Sequence, residues 1–149
     1  MFMVRIGVLV LVSILLLLVV WSGRSFVEAQ RRRALAAVPL TSDGGDKDAN
    51  ASLSLVRILA FSSADCHQCH EMQIPALQRV LDARGSNVSV AEVDAPNSPD
   101  LTQRYRVLTL PSTVIMDAAG RAHAVNYGFA NTQRLLDQVD EVLAQISVS

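Results

Sequence analysis

No basic stripe runs through this sequence, no segment repeats, and no cysteine lies outside one short stretch. The first absence excludes nucleic acid as a partner, because nothing is arranged to neutralise a row of phosphates. The second excludes a stacked-repeat architecture. The third confines any thiol chemistry to Cys66-His67-Gln68-Cys69-His70, which holds both cysteines of the 149-residue chain. That stretch is compatible with more than one chemistry. A C-x-x-C pair can cycle between dithiol and disulfide, whereas C-x-x-C-H is the attachment pattern of a c-type haem, with His70 on the iron and Met116 or His123 as distal ligands. A third reading has Cys66, Cys69 and the adjacent His67 and His70 holding zinc or copper, although four ligands on five residues strain a tetrahedral site. Spacing alone does not separate these readings.

What the chain has in excess is apolar surface at its front. Half of its residues are hydrophobic, and residues 6–21 (IGVLVLVSILLLLVVW) are interrupted only by Gly7 and Ser13. A full span takes about 20 apolar residues, which is reached by extending the run towards Met1 and letting Arg5 snorkel. Val27-Glu28-Ala29 has the small-x-small form of a signal-peptide cleavage site, but Arg31, Arg32 and Arg33 follow at once and oppose export. Residues 1–29 are therefore expected to be a retained, single-pass anchor. Arg24 and Arg31 to Arg33 outnumber Arg5 and the amino terminus, so the positive-inside rule places the remainder in the cytoplasm.

Charge divides the chain in the same place. Residues 1–40 carry five arginines against Glu28, a formal +4, and residues 41–149 carry eight basic against thirteen acidic residues, a formal −5. The basic end suits anionic lipid headgroups. Residues 41–52 (TSDGGDKDANAS) lack apolar groups to bury and read as a solvated linker. The expected organisation is an anchor over 1–29, a basic stretch and linker over 30–52, and one folded domain over 53–149. Asn50-Ala-Ser52 and Asn87-Val-Ser89 match the glycosylation acceptor pattern, which is too short to decide anything.

Within that domain, strand and helix patterns alternate. Residues 55–61 (LVRILAF) have the continuous apolar character of a strand buried on both faces. Cys69, Met72, Ala76, Leu77, Val80 and Leu81 then fall at helical spacing, with Pro75 expected to kink the helix and Gly85 to cap it. A second strand is expected over 88–93, and Ser98-Pro99 supplies a cap and first-turn pair for a short helix ending near Tyr105. Residues 112–116 and 122–127, joined by Ala118-Ala119-Gly120, form an antiparallel hairpin. Leu135, Leu136, Val139, Val142, Leu143 and Ile146 give a closing amphipathic helix capped by Asn131 or Thr132. A β-α-β-α-β-β-α order with right-handed crossover predicts an α/β fold, a mixed four-stranded sheet covered by helices on both faces.

With these elements in place the chain resembles the thioredoxin-like family over residues 53–146. Three segments carry the resemblance: FSSAD (61–65) leading from a strand into Cys66 and Cys69, YRVLTLPST (105–113), and Gly128-Phe129 before the last helix. The resemblance implies a membrane-anchored thiol-disulfide oxidoreductase that needs no cofactor or metal and acts on protein or small-molecule disulfides and dithiols. It also implies a cis Pro111, whose preceding residue Leu110 offers its backbone to an extended substrate. Tethered relatives commonly face outward, against the positive-inside count.

The expected chemistry is thiol exchange. Cys66 at a helix N-terminus is stabilised as a thiolate below the free value of about 8.5 and attacks, and the more buried Cys69 resolves the mixed disulfide. His67 and Gln68, between the cysteines, are the expected tuners of redox potential, His67 through a positive charge beside Cys66. His70 is expected on the helix surface, and Tyr105 and Phe129 in the core. The sequence departs from the family at two places, with Asp65 where an aromatic residue is usual and Ala60 where a buried acid is usual. Proton transfer to Cys69 then needs another group or water, and Glu92 is the substitute considered, against the simpler expectation of an exposed strand residue.

Overall fold

The computed structural model describes residues 2–36 and 54–148, with side chains from residue 11 onward. The linker at 41–52, the acceptor pattern at Asn50 and the expected domain start at Leu53 lie outside the described residues. The chain forms two compact units, Met1–Arg32 and Arg33–Ser149.

Helix α1 runs over Phe2–Leu35. At 1.5 Å per residue its 34 residues span about 51 Å, more than the ~30 Å of a bilayer's hydrocarbon core. Its Leu11–Leu35 portion is long and apolar enough to cross a membrane, a property that a signal sequence shares. The helix runs on into the basic stretch, where Arg31, Arg32 and Arg33 are helical. Arg32 pairs with Glu28 one turn back at 3.6 Å, and alanine, leucine and arginine are all good helix formers.

The four expected strands are β1 (Val56–Ser62), β2 (Val88–Asp94), β3 (Ser112–Asp117) and β4 (Ala122–Tyr127). They make one mixed sheet in the order β2-β1-β3-β4, with β1 and β2 parallel and the other pairs antiparallel. The parallel pair is joined through α2 (Ile74–Arg84) and a 3-10 turn at Gly85–Asn87. Gly85 adopts φ +54° and donates its N–H to the Leu81 carbonyl, the left-handed ending for which glycine is suited.

Alternation along β1 divides the interior. Val56, Ile58 and Ala60 join Ala76, Leu77 and Val80 of α2 and Leu135, Val139 and Val142 of α4 (Thr132–Val148) in one core. Leu59 and Phe61 turn the other way, to Val93, Tyr105, Val114, Met116 and Val125, with Leu101 of α3 (Pro99–Arg104) against them. Burying a side chain of this size contributes about 1.5–3 kcal/mol. Phe129 packs partly buried against the first core and Tyr105 is fully buried in the second, its ring edge-on to Phe61.

Two capping expectations separate. Asn131 caps α4, its Oδ1 accepting the Arg134 N–H at 2.9 Å. Ser98 precedes α3 but makes no side-chain capping bond. Pro99 in the first turn already fixes φ and has no amide to satisfy, so less is left for a cap to do. Of the α4 stripe, Ile146 stays 37% exposed in the last turn. At the sheet edge where β1 begins, Asp117 pairs in register with Val56. Its carboxylate is buried and accepts from the Arg121 N–H at 3.0 Å, the Arg121 Nε at 2.9 Å and the His123 Nε2 at 2.9 Å.

Candidate active site

The opposite edge is marked by a row across three strands. Phe61 of β1 pairs with Ser112 of β3, and Ser112 with Tyr127 of β4. Just beyond that row the chain leaves Ser62 for Cys66, arrives from Leu110-Pro111, and departs through Gly128 to Ala130. Sheet register thus brings three sequence-distant segments to one end of the domain. Gly128 turns the last of them with φ +84°, a left-handed conformation that costs glycine little.

Local backbone bonds set the cysteines. The Cys66 N–H donates to Ser63 O at 3.1 Å, closing a turn, and the Cys66 carbonyl receives the His70 N–H at 3.3 Å, so Cys66 is the first capping residue of the helix. Its Sγ accepts the Cys69 N–H at 3.2 Å, where a serine hydroxyl would sit in an ordinary N-cap. The sulfurs of Cys66 and Cys69 are joined in a disulfide, with Cα atoms 5.3 Å apart. Cys66 is half-buried and Cys69 is 1% exposed.

The helix does not continue as the spacing suggests. Cys69–Gln73 forms a π turn, closed by the Ile74 N–H on the Cys69 carbonyl, and Pro75 stands in the first turn of α2 beyond it. The expected distortion at Pro75 thus takes the form of a widened turn on its N-terminal side. One consequence corrects the expected stripe. Met72 is carried off the buried face and is 44% exposed, while Gln73 takes its place at 2%. Gln73 satisfies both ends of its amide on one residue, donating from Nε2 to Ala130 O at 3.2 Å and accepting the Ala130 N–H on Oε1 at 3.0 Å. A polar residue four positions after Cys69, on the apolar side of a helix, was the sequence signal for this contact.

Leu110-Pro111 is cis, as the resemblance implies. Pro111 is buried and Leu110 half-buried, and the Ser112 hydroxyl spans the bend by donating to Thr109 O at 2.7 Å. Ala60 is buried and faces Thr113 in the ladder. In the next pair, Asn126 Nδ2 donates to Thr113 Oγ1 at 3.0 Å and to Gln138 Oε1 at 2.8 Å, and Gln138 Nε2 returns a bond to Asn126 Oδ1 at 3.0 Å. This row carries uncharged hydrogen-bonding groups beside Ala60, an arrangement the sequence analysis missed. Glu92, opposite Ala60 on edge strand β2, is exposed, as is Asp65.

His67 is exposed, and its imidazole makes no hydrogen bond among the described residues, only its backbone N–H donating to Asp65 O at 3.1 Å. His70 reaches back to Ser63 O at 3.3 Å, the same carbonyl that receives the Cys66 N–H. Gln68 is exposed, its Nε2 directed at Met72 Sδ at 4.0 Å. Among the described residues no three His, Cys, Asp or Glu side chains are grouped to hold a metal ion.

A parallel β-α-β unit, an antiparallel hairpin behind a cis proline, and a disulfide across two residues at a helix start define a thiol-disulfide oxidoreductase of the thioredoxin fold. Comparison with known proteins agrees. The chain is 27% identical over 86 residues to thioredoxin of Alicyclobacillus acidocaldarius subsp. acidocaldarius, covering 58% of this chain and 80% of that protein. Chloroplastic thioredoxin z superposes with a TM-score of 0.55 at 27% identity over 64% of this chain and 85% of its own. Oxidised mitochondrial thioredoxin 3 of Saccharomyces cerevisiae has the same fold, with a TM-score of 0.52 at 23% identity over 61% of this chain and 82% of its own. No family model matches the sequence. The chain is thioredoxin-like, and this relationship favours the redox reading of Cys66 to His70 over haem attachment or metal binding.

Proposed function

We propose that Cys66 is the attacking thiolate and Cys69 the resolving thiol of an oxidoreductase held at a membrane by α1. The observation that carries this reading is the capping geometry, in which the Cys66 sulfur accepts the Cys69 amide while Cys69 itself is buried. A charged acceptor strengthens that bond, so the reduced Cys66 is favoured as thiolate by the amide and by the helix dipole. Cys66 attacks a substrate disulfide, one substrate sulfur leaves as thiolate, and a mixed disulfide forms. Cys69 then attacks Cys66 Sγ and expels the second sulfur. The same steps in reverse oxidise a dithiol.

Leu110 supports a role in holding substrate. Its backbone N–H and carbonyl bond to none of the described residues, leaving them available to an extended segment of a protein substrate, and Pro111 shapes the bend beside it. Of the residues between the cysteines, Gln68 and His67 remain candidates for tuning through charge and solvation alone. The membrane role of α1 rests on its length and apolar surface.

Cys69→Ser in the full chain, expressed in intact cells, is expected to accumulate mixed disulfides through Cys66 that a reductant releases and that Cys66→Ser abolishes. The captured partners and their compartment identify the substrates and the side of the membrane. A folded Cys69→Ser protein that captures nothing sinks the assignment of Cys66.

A further inference from the structure

Gln73 is an expensive choice for filling a core position. Burying an amide without partners costs about 1–3 kcal/mol, and leucine or methionine would fill similar space without that demand. The amide is instead matched, donor to acceptor and acceptor to donor, against the backbone of Ala130 across 57 residues of sequence. It also stands at a particular place. Cys69 and Gln73 are the first and last residues of one π turn, and Ala130 lies in the segment that leaves β4 beside Ser112. Gln73 therefore ties the turn bearing the buried cysteine to a fixed point at the end of the sheet.

We infer that Gln73 is a positioning residue for the second half of thiol exchange, holding Cys69 Sγ within reach of Cys66 Sγ while Cys66 is joined to a substrate. This rests on the mixed-disulfide reading above. In the step concerned, the Cys69 thiolate forms a bond to Cys66 Sγ and the electron pair of the Cys66–substrate bond leaves on the substrate sulfur, which takes a proton from water. No outside oxidant is needed. When the Cys66–Cys69 bond is absent, the backbone of the turn must hold Cys69, and the π turn lacks the regular ladder of an α-helix. Attack by Cys66 depends on its own cap and does not need the clasp.

Reaction of the reduced full-length protein in detergent with an aromatic disulfide that releases a coloured thiolate separates the two steps. The first equivalent of colour reports attack by Cys66 and the second reports resolution by Cys69. Gln73→Leu is expected to leave the first phase unchanged and slow the second about tenfold, the factor matching loss of one to two hydrogen bonds. Gln73→Glu supplies a readout that general loosening would not give. A protonated glutamic acid reproduces the glutamine pattern, its O–H donating to Ala130 O and its carbonyl accepting the Ala130 N–H, whereas the carboxylate has no donor and repels that carbonyl. Its second-phase rate, as a ratio to the unsubstituted protein at each pH, should be near one in acid and fall as the carboxyl ionises. If Gln73→Leu does not fold, the Gln73→Glu ratio decides alone. Two phases in the unsubstituted protein with a pH-independent ratio in Gln73→Glu overturn the positioning role and leave the mechanism standing. Failure of the unsubstituted protein to give a second phase overturns both.

Discussion

At the scale of single residues, Asp117 ties stability to pH. Burial raises the pKa of its carboxyl, but hydrogen bonds from His123, the Arg121 amide and the Arg121 guanidinium together hold it below the ordinary value. A depressed folded-state pKa stabilises the fold above the unfolded value of about 3.9 and loses that contribution as pH falls through the lowered native value. Asp117→Asn is therefore expected to cost about 1–3 kcal/mol near neutrality, by loss of charge-assisted bonds at a buried site. In urea titrations the gap from the unsubstituted protein should be constant above about pH 5 and narrow below pH 4. A gap that ignores pH would mean that the carboxylate charge is immaterial. Nothing in the sequence singled out Asp117, because its meaning depends on a hairpin that brings His123 and Arg121 to one oxygen. Arg106 was illegible for a related reason. It takes φ +52° where glycine is the usual choice, closing α3 through its own N–H on Gln103 O and the Val107 N–H on Thr102 O.

At the scale of elements, most of the fold was legible because burial enforces period. Strands β1 to β4 and helix α4 stand within a residue or two of their expected limits, since each presents a face that must be covered. What the period could not give was a change of period. A π turn adds a residue to one turn, and the stripe that had included Met72 was carried onto Gln73. The α4 stripe yields a graded expectation. Leu135 is 0% exposed and Leu135→Ala should cost about 2–5 kcal/mol in unfolding free energy, the range for a leucine cavity. Ile146→Ala, in the exposed last turn, should fall within about 0.5 kcal/mol of zero. Equal losses in chemical denaturation would contradict the burial difference. Arg84 binds Asp140 through two bonds, Nε to Oδ1 at 2.7 Å and Nη2 to Oδ2 at 2.6 Å, linking α2 to α4 at the surface. Such exposed pairs weaken with salt, so the first core, which holds the buried faces of both helices, carries most of the packing between them.

At the scale of the molecule, the proposed division into anchor, linker and domain makes a fractionation experiment informative. The full chain should remain with membranes through an alkaline wash that strips peripheral proteins, and a fragment of residues 33–149 should appear in the soluble fraction. Intact mass at the amino terminus distinguishes the retained helix from a cleaved leader, which would end near Ala29. The site itself was half legible. Cys66, Cys69 and Pro111 carry their own signatures in the chain, whereas the clasp at Ala130 and the Thr113, Asn126 and Gln138 network exist only once β4 and α4 are placed.

That dependence orders events in time. Cys66 and Cys69 are three positions apart and can meet as soon as both have been synthesised, but the other half of the Gln73 clasp lies 57 residues further on. At ordinary elongation rates of about 5–20 residues per second, this leaves roughly 3–11 s in which a growing chain carries its two thiols without the backbone that will brace them. For that interval the motif is a pair of reactive groups on an unfinished polypeptide, open to cellular oxidants, and only completion of the last strand and helix turns it into a site.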